Sequence, residues 1–263
     1  MNLDSMLNLG IEAINAGGNA ILKTQNNMQI WEKENKTPLT NADIAANEAI
    51  CAILSKSKIP ICSEEQPLSY DIRKNLESFW LIDPLDGTKS FIEGSENYCI
   101  LIALIYAARP ILSLILKPKT NEIYYAHIES KIYKNHAEFS PLRCHENITL
   151  VSKHHGSTLD TQFINDNHLQ SLKVGSALKF IALLEGRANI YHRFESLNSW
   201  DIAAGDFLIN HSTFHDLDSK ITQGFMSDLN GNLLLYNNEK FRCPYFLAVN
   251  DKEMLKTLKI PKI

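Results

Sequence analysis

Two aspartates three residues apart, Asp83 and Asp86, follow the apolar run Phe79-Trp80-Leu81-Ile82 and share a turn with Pro84, Gly87 and Thr88. Four apolar residues are too few for a helix and read as a buried strand. Carboxylates mounted so closely at a strand end repel one another unless a cation sits between them. Pro84 has a fixed φ and no N–H, and Gly87 permits a close backbone approach. The Leu85 carbonyl is then available as an oxygen donor beside the two acids. Hard donors of this kind suit Mg²⁺. Asp-Pro and Asp-Gly pairs are also common turn formers, and these residues alone leave both readings open. A second short strand, Ile59-Pro60-Ile61-Cys62, ends in Ser63-Glu64-Glu65. Acids there are ordinarily a solvated loop, yet two acid-tipped strands would meet if they shared one end of a sheet.

The surrounding elements decide whether they can. Leu3, Leu7, Ile11, Ile14, Ile21 and Leu22 recur at helical spacing over residues 3 to 25. Gly17-Gly18 interrupts that pattern at about 1 kcal/mol per glycine, so either a neighbour packs closely there or the helix bends. A strand over 28–34 precedes a helix over 41–55, whose small face is Ala42, Ala45, Ala46, Ala49, Ile50 and Ile53. Thr40 and Asp43 have the spacing of a capping box at its start, which gives Asp43 a purely structural reading. The runs 98–106 and 111–116 form a hairpin turning near Arg109-Pro110, and strands at 122–128 and 131–134 continue the meander. Their alternation is weak, which predicts a sheet covered on both faces by the two N-terminal helices.

The polar stretch 135–147 marks a boundary between an N-terminal lobe, 1–145, and a C-terminal α/β lobe, 146–263. In the second lobe the pattern predicts strands at 148–151, 172–174 and 188–191, with helices at 160–168, 176–186 and 200–211. A net charge of −4 offers no basic footprint, which excludes a nucleic-acid polymer as the expected partner. Five cysteines, odd in number and without a CxxC pair, predict reduced thiols and a cytoplasmic protein. The first residues lack a signal-peptide pattern. The longest apolar run, Tyr98 to Ala108, is too short to cross a bilayer. No transmembrane segment is expected; peripheral contact at the inner face of the cell membrane is left open.

Taken together, Ser63-Glu64-Glu65, Asp83-Pro84-Leu85-Asp86-Gly87-Thr88 and Trp200-Asp201-Ile202-Ala203-Ala204-Gly205 resemble the three metal-binding motifs of the inositol-monophosphatase-like, lithium-sensitive phosphatases. Thr37-Pro38-Leu39-Thr40-Asn41-Ala42-Asp43 looks like an upstream element of the same superfamily. The stretch from Val174 to Phe180 and that from Glu185 to Phe194 resemble most closely its 3′(2′),5′-bisphosphate nucleotidases of the bacterial CysQ type. The likeness is collinear over nearly the whole chain. It implies a two-lobe α+β fold, a layered αβαβα sandwich, and a Mg²⁺-dependent phosphomonoester hydrolase with two or more ions per active site. The implied reaction removes the 3′-phosphate of adenosine 3′,5′-bisphosphate, a by-product of sulfate assimilation.

The resemblance also implies roles. Glu64, Asp83 and the Leu85 carbonyl would hold one Mg²⁺, and Asp83, Asp86 and Asp201 another. Thr88, paired with Asp43, would orient and deprotonate the attacking water, which moves Asp43 away from capping and leaves Thr40 to cap in another way. Gly87, Thr88, Gly175, Ser176, Lys179, Arg193 and Asp201 match substrate contacts, with His155 beside them. Two divalent ions would offset four carboxylates and hold the scissile phosphate, and a second phosphate then needs separate cations, for which Lys179 and Arg193 stand ready. Alternative readings are a snorkelling surface lysine for Lys179, a first-turn acid facing the macrodipole for Asp201, whose helix N-terminus would also suit a phosphate, and core packing for Trp200. The chain departs from the CysQ-type pattern at Ala177, where a second serine is usual, and at Ser90, where Glu is usual; Glu93 and Glu96 add acidity. Competing functions are an inositol or sugar monophosphatase with the same metal core and a non-catalytic nucleotide or phosphate sensor. Monomer and homodimer remain equally open.

Overall fold

The computed structural model describes residues 1–261 apart from 35, 154, 155, 217 and 219. The chain begins with helix α1 (Leu3–Thr24), strands β1 (Ile30–Glu32) and β2 (Pro38–Thr40), helix α2 (Asn41–Leu54), strand β3 (Ile61–Ser63) and a single helical turn, α3 (Tyr70–Arg73). Next come β4 (Ser78–Asp86), the short α4 (Thr88–Ile92), β5 (Cys99–Tyr106), β6 (Arg109–Lys117), β7 (Glu122–His127), β8 (Tyr133–Lys134) and β9 (Ala137–Glu138). Beyond residue 147 follow β10 (Ile148–Val151), α5 (Thr158–Asp166), β11 (Gln170–Lys173), α6 (Leu178–Leu184), β12 (Ile190–Arg193), β13 (Leu197–Asn198) and α7 (Ala203–Asn210). The chain closes with β14 (Thr213–His215), β15 (Ile221–Gln223), β16 (Phe225–Asp228), β17 (Arg242–Cys243) and β18 (Phe246–Val249).

Helix α1 starts where the Asn2 side chain accepts the Ser5 N–H at 2.9 Å. It runs unbroken through Gly17-Gly18. Close packing, and no bend, explains the pair: a Cβ on Gly17 would meet Ile50 Cδ1 at 2.7 Å, and one on Gly18 would meet Leu116 Cδ2 at 2.7 Å. The two glycines thus bring α1 against both α2 and the sheet.

Strands β3 to β9 form one seven-stranded sheet in sequence order. Strand β3 runs parallel to β4, and every later neighbour is antiparallel. One face carries Trp80, Ile82, Ile100, Ile102 and Leu114 into the core under α1 and α2. The other carries Phe79, Leu81, Leu101, Ala103 and Ile115 against α6 and α7. Coverage on both faces is why the strands barely alternate. The second cover comes from the C-terminal half, however, and not from the N-terminal helices as their order in the chain suggested. Ser113 on β6 donates to the Ala204 carbonyl of α7 at 2.7 Å, and Arg109 pairs with the fully buried Asp206 at 2.6 Å, which fixes that helix on the sheet.

The second sheet has the order β11-β10-β12-β18-β16. Its β10, β11 and β12 are parallel, and β18 is antiparallel to both its neighbours. Three local expectations need correction. The strand expected over 28–34 is a three-residue arm of the β1–β2 hairpin. Helix α6 starts at Leu178 and not at Ser176, because Ser176 has φ +52 and cannot join a right-handed helix. The helix expected over 200–211 begins at Ala203, so Asp201 lies in the turn just before α7 and the acid in its first turn is Asp206.

Candidate active site

In a regular strand, residues three apart face opposite sides. Asp83 and Asp86 nevertheless line one cavity. The pairing explains this: Asp83 lies opposite Leu101 but Asp86 lies opposite Cys99, so β4 bulges by one residue between them. Gly87 follows at φ +95, where a Cβ would meet the Asn97 carbonyl at 2.7 Å. Glu64 is brought alongside by the parallel pairing of β3, which its own N–H extends with a 3.0 Å bond to the Ile82 carbonyl. Asp201 arrives from the turn before α7.

These four acids, with Leu85 and Thr88, share a cavity of about 330 Å³ with Gly175, Ser176, Lys179 and Arg193. Each acid is held locally. Asp83 accepts the Leu85 N–H at 3.0 Å, Asp201 accepts the Asn198 N–H at 2.9 Å, and Asp86 accepts the Ala177 N–H. The Ala177 backbone makes this contact, so no side-chain hydroxyl is needed there. Burial pushes Asp83 well above the usual carboxylate range, and the charges of Glu64, Asp86 and Asp201 push it further. Asp201 is raised in the same way by burial, Asp86 and Glu64, and Asp86 by burial against the help of the Ala177 N–H. Among the described residues, no three His, Cys, Asp or Glu side chains stand close enough together to ligate one ion as placed.

Asp43 does not line the cavity; it reaches it through Thr88, whose hydroxyl lies 3.1 Å from Asp43 Oδ1 and 3.2 Å from the Leu85 carbonyl, its single proton shared between the two acceptors. Asp43 Oδ2 meanwhile accepts the Thr40 N–H at 2.7 Å and its hydroxyl at 2.6 Å, a complete capping box. Capping and the Thr88 contact do not compete, because each takes one carboxylate oxygen. Burial raises the Asp43 carboxyl above its ordinary value, and the Thr40 bonds offset part of the rise.

Lys179 is no snorkelling side chain. It is buried, donates to the Ser176 carbonyl at 2.6 Å and the Val174 carbonyl at 3.3 Å, and lies 5.4 Å from the centre of the Tyr191 ring. Burial lowers its pKa to about 8, against the attraction of Asp86. Arg193 is buried too; its Nη2 pairs with Glu195 at 2.5 Å, and its Nε has no partner among the described residues. Trp200 packs edge-on to Phe241 at 5.3 Å, as core packing requires. His155 lies outside the described residues.

Sequence reasoning missed Lys33. Its Nζ lies 2.8 Å from Glu64 and 2.7 Å from Glu65. Burial disfavours its charge, yet Glu64 and Glu65 together outweigh this and hold its pKa above the ordinary value. Lys33 lies in the polar run 33–36, where nothing in the spacing distinguishes it from a solvated residue. Tyr191 was also missed as a cavity wall, although strand alternation places it two residues from Arg193 on the same face.

The geometry can be set beside known proteins. The family model for the inositol monophosphatase family matches residues 2–259. The 3′(2′),5′-bisphosphate nucleotidase CysQ of Salmonella typhimurium is 33% identical over 198 residues, 72% of this chain and 80% of its own length. That of Haemophilus influenzae is 30% identical over 245 residues, 87% and 86% of the two chains. The crystal structure of CysQ from Bacteroides thetaiotaomicron superposes with a TM-score of 0.80 at 27% identity, covering 94% of this chain and 98% of the other. An IMPase from Thermotoga maritima shares the fold at a TM-score of 0.76 and 22% identity, over 96% of each chain.

Proposed function

This chain belongs to the inositol monophosphatase family, and from that premise we propose that it is a 3′(2′),5′-bisphosphate nucleotidase acting on adenosine 3′,5′-bisphosphate. The products are AMP and phosphate. The observation that carries the reading is the make-up of one cavity, which holds four carboxylates together with Lys179 and Arg193.

The donor set fits a divalent cation. It consists of acids whose mutual repulsion a dication would relieve, and of the Leu85 carbonyl, which keeps a second lone pair beside its bond to Thr88. Glu64, Asp83 and Leu85 would hold one Mg²⁺, and Asp83, Asp86 and Asp201 a second. When bound, such ions supply positive charge to the phosphate oxygens and lower the pKa of water.

The chain's own groups do the rest. Thr88 Oγ1 accepts a proton from the attacking water as its own proton passes to Asp43 Oδ1. The raised pKa of Asp43 makes it the stronger base. Lys179 and Arg193 offer charge-assisted hydrogen bonds to the second phosphate. Gly87, Gly175 and Ser176 line the same cavity, the two glycines packing closely on Asn97. The proposal includes a cytoplasmic setting in sulfur metabolism; among the described residues no helix is long and apolar enough to cross a membrane.

Phosphate release from a panel of nucleotide bisphosphates and sugar phosphates, with and without Mg²⁺ and Li⁺, tests the assignment. Turnover should require Mg²⁺, fall with Li⁺ and favour the nucleotide. Replacing Lys179 and Arg193 together should damage bisphosphate turnover far more than sugar phosphate turnover. Equal losses would move the assignment to a sugar or inositol monophosphatase, and binding without turnover would make the protein a sensor.

A further inference from the structure

Five tyrosines are buried among the described residues: Tyr98, Tyr124, Tyr125, Tyr191 and Tyr236. Four of them engage their hydroxyls with protein partners. Tyr98 accepts from Gln25 at 3.3 Å, Tyr124 donates to Glu185 at 2.5 Å, Tyr236 donates to Asp206 at 2.7 Å, and Tyr125 lies 3.1 Å from His136 Nδ1. Tyr191 is the exception: no described residue bonds its hydroxyl, and that oxygen is not sealed in the core. A buried phenol ordinarily finds a hydrogen-bond partner. The side chain lines the carboxylate cavity, where a ligand can supply one.

The ring is firmly held. Phe180 and Phe246 each meet it edge-on at 5.1 Å, and β12, which carries it, lies between β10 and β18. Lys179 Nζ is 5.4 Å from the ring centre, and Arg193, two residues along the same strand, lines the same cavity. Tyr191 thus stands on the wall that carries both cations. Arg193 Nε also lacks a partner among the described residues. A phosphate monoester has three terminal oxygens, enough to accept from a lysine, an arginine and a phenol at once. A single sugar hydroxyl has too few lone pairs for all three. Burial raises the pKa of the phenol; Arg193 opposes this, while Asp86 and Asp201 reinforce it, so the group keeps its proton and donates at neutral pH.

We infer that Tyr191 is a substrate-binding residue whose hydroxyl donates to the second phosphate of the substrate, completing a three-donor cradle with Lys179 and Arg193. This rests on the nucleotidase reading and deepens it. The contact separates substrates with two phosphates from those with one, since only the former present a phosphate to this wall.

Tyr191→Phe removes the hydroxyl and keeps the ring. Steady-state kinetics with Mg²⁺ compare it with the wild type on adenosine 3′,5′-bisphosphate and on adenosine 3′-monophosphate, which has the same scissile group and no second phosphate. KM for the bisphosphate should rise about ten-fold with kcat preserved, and kcat/KM for the monophosphate should not change. Equal losses on both substrates, or no loss on either, overturn the contact. In thermal melts Tyr191→Phe should match the wild type, because no protein hydrogen bond is lost. Tyr236→Phe, which loses its bond to Asp206, should melt lower, and an equal drop in Tyr191→Phe overturns the contact. Calorimetric titration with AMP, whose 5′-phosphate is the group concerned, reads the contact without turnover. Should the wild type hydrolyse neither nucleotide, the activity reading fails, and this titration decides the contact by itself. AMP binding about ten-fold weaker in Tyr191→Phe supports it; equal binding, or none by the wild type, overturns it.

Discussion

Thr88 donates its hydroxyl to Asp43 Oδ1 at 3.1 Å, joining residues 45 positions apart in the chain. The other Asp43 oxygen caps α2. Thr88→Ala should therefore lower kcat by about 10²–10⁴-fold with little change in melting temperature. Asp43→Asn should lose the same activity and, through the weakened cap, about 1 kcal/mol of stability. If the two groups act as a unit, the double variant is no slower than either single one. Thr88→Ser should retain most turnover.

The acids predict an unusual dependence of stability on pH. Asp83 and Asp201 have folded-state pKa values raised by burial and mutual repulsion. Between the ordinary carboxylate range and those raised values, the folded state binds more protons than the unfolded state, so stability falls as pH rises. With chelator present, thermal melts should rise as pH is lowered from 7 towards 5. Adding Mg²⁺ should flatten that slope and stabilise the wild type by about 2.7 kcal/mol at 100 times Kd. Asp86→Asn should stay folded, lose turnover and show a smaller Mg²⁺ shift.

Lys179 should set an alkaline limit on substrate binding. Its folded pKa of about 8 is depressed chiefly by burial, so its charge is lost as pH rises through that value. KM for adenosine 3′,5′-bisphosphate should climb above pH 8, while KM for inositol monophosphate stays level. The stability linkage has the opposite sense. The unfolded lysine holds its proton to a higher pH, so stability rises with pH above 8. Lys179→Met should raise the bisphosphate KM roughly ten-fold or more and abolish its pH dependence.

Gly205 tests the packing of α7 against α6. A Cβ there would fall inside the Phe180 ring edge. Gly205→Ala should destabilise by about 1–3 kcal/mol in urea unfolding. Its kcat should fall less than its stability suggests, because no atom of the carboxylate cavity is replaced.

Much of the site could be read from local sequence. The strand ending at Asp86, the loop Asp83 to Thr88 and the acids after β3 are each encoded by residues within a few positions of one another, where hydrophobic period and turn chemistry act directly. The helices over residues 3–24 and 41–54 were legible for the same reason. Only the tertiary structure decided the bulge that turns Asp83 and Asp86 to one side, the dual use of the Asp43 oxygens, and the pairing of Lys33 with Glu64. It alone showed that α6 and α7 form the second cover of the large sheet, and that the chain turns at Ser176 before α6. Spacing along a strand or helix determines which face a side chain occupies. Which distant face it meets depends on how the whole core packs, and no local pattern contains that information.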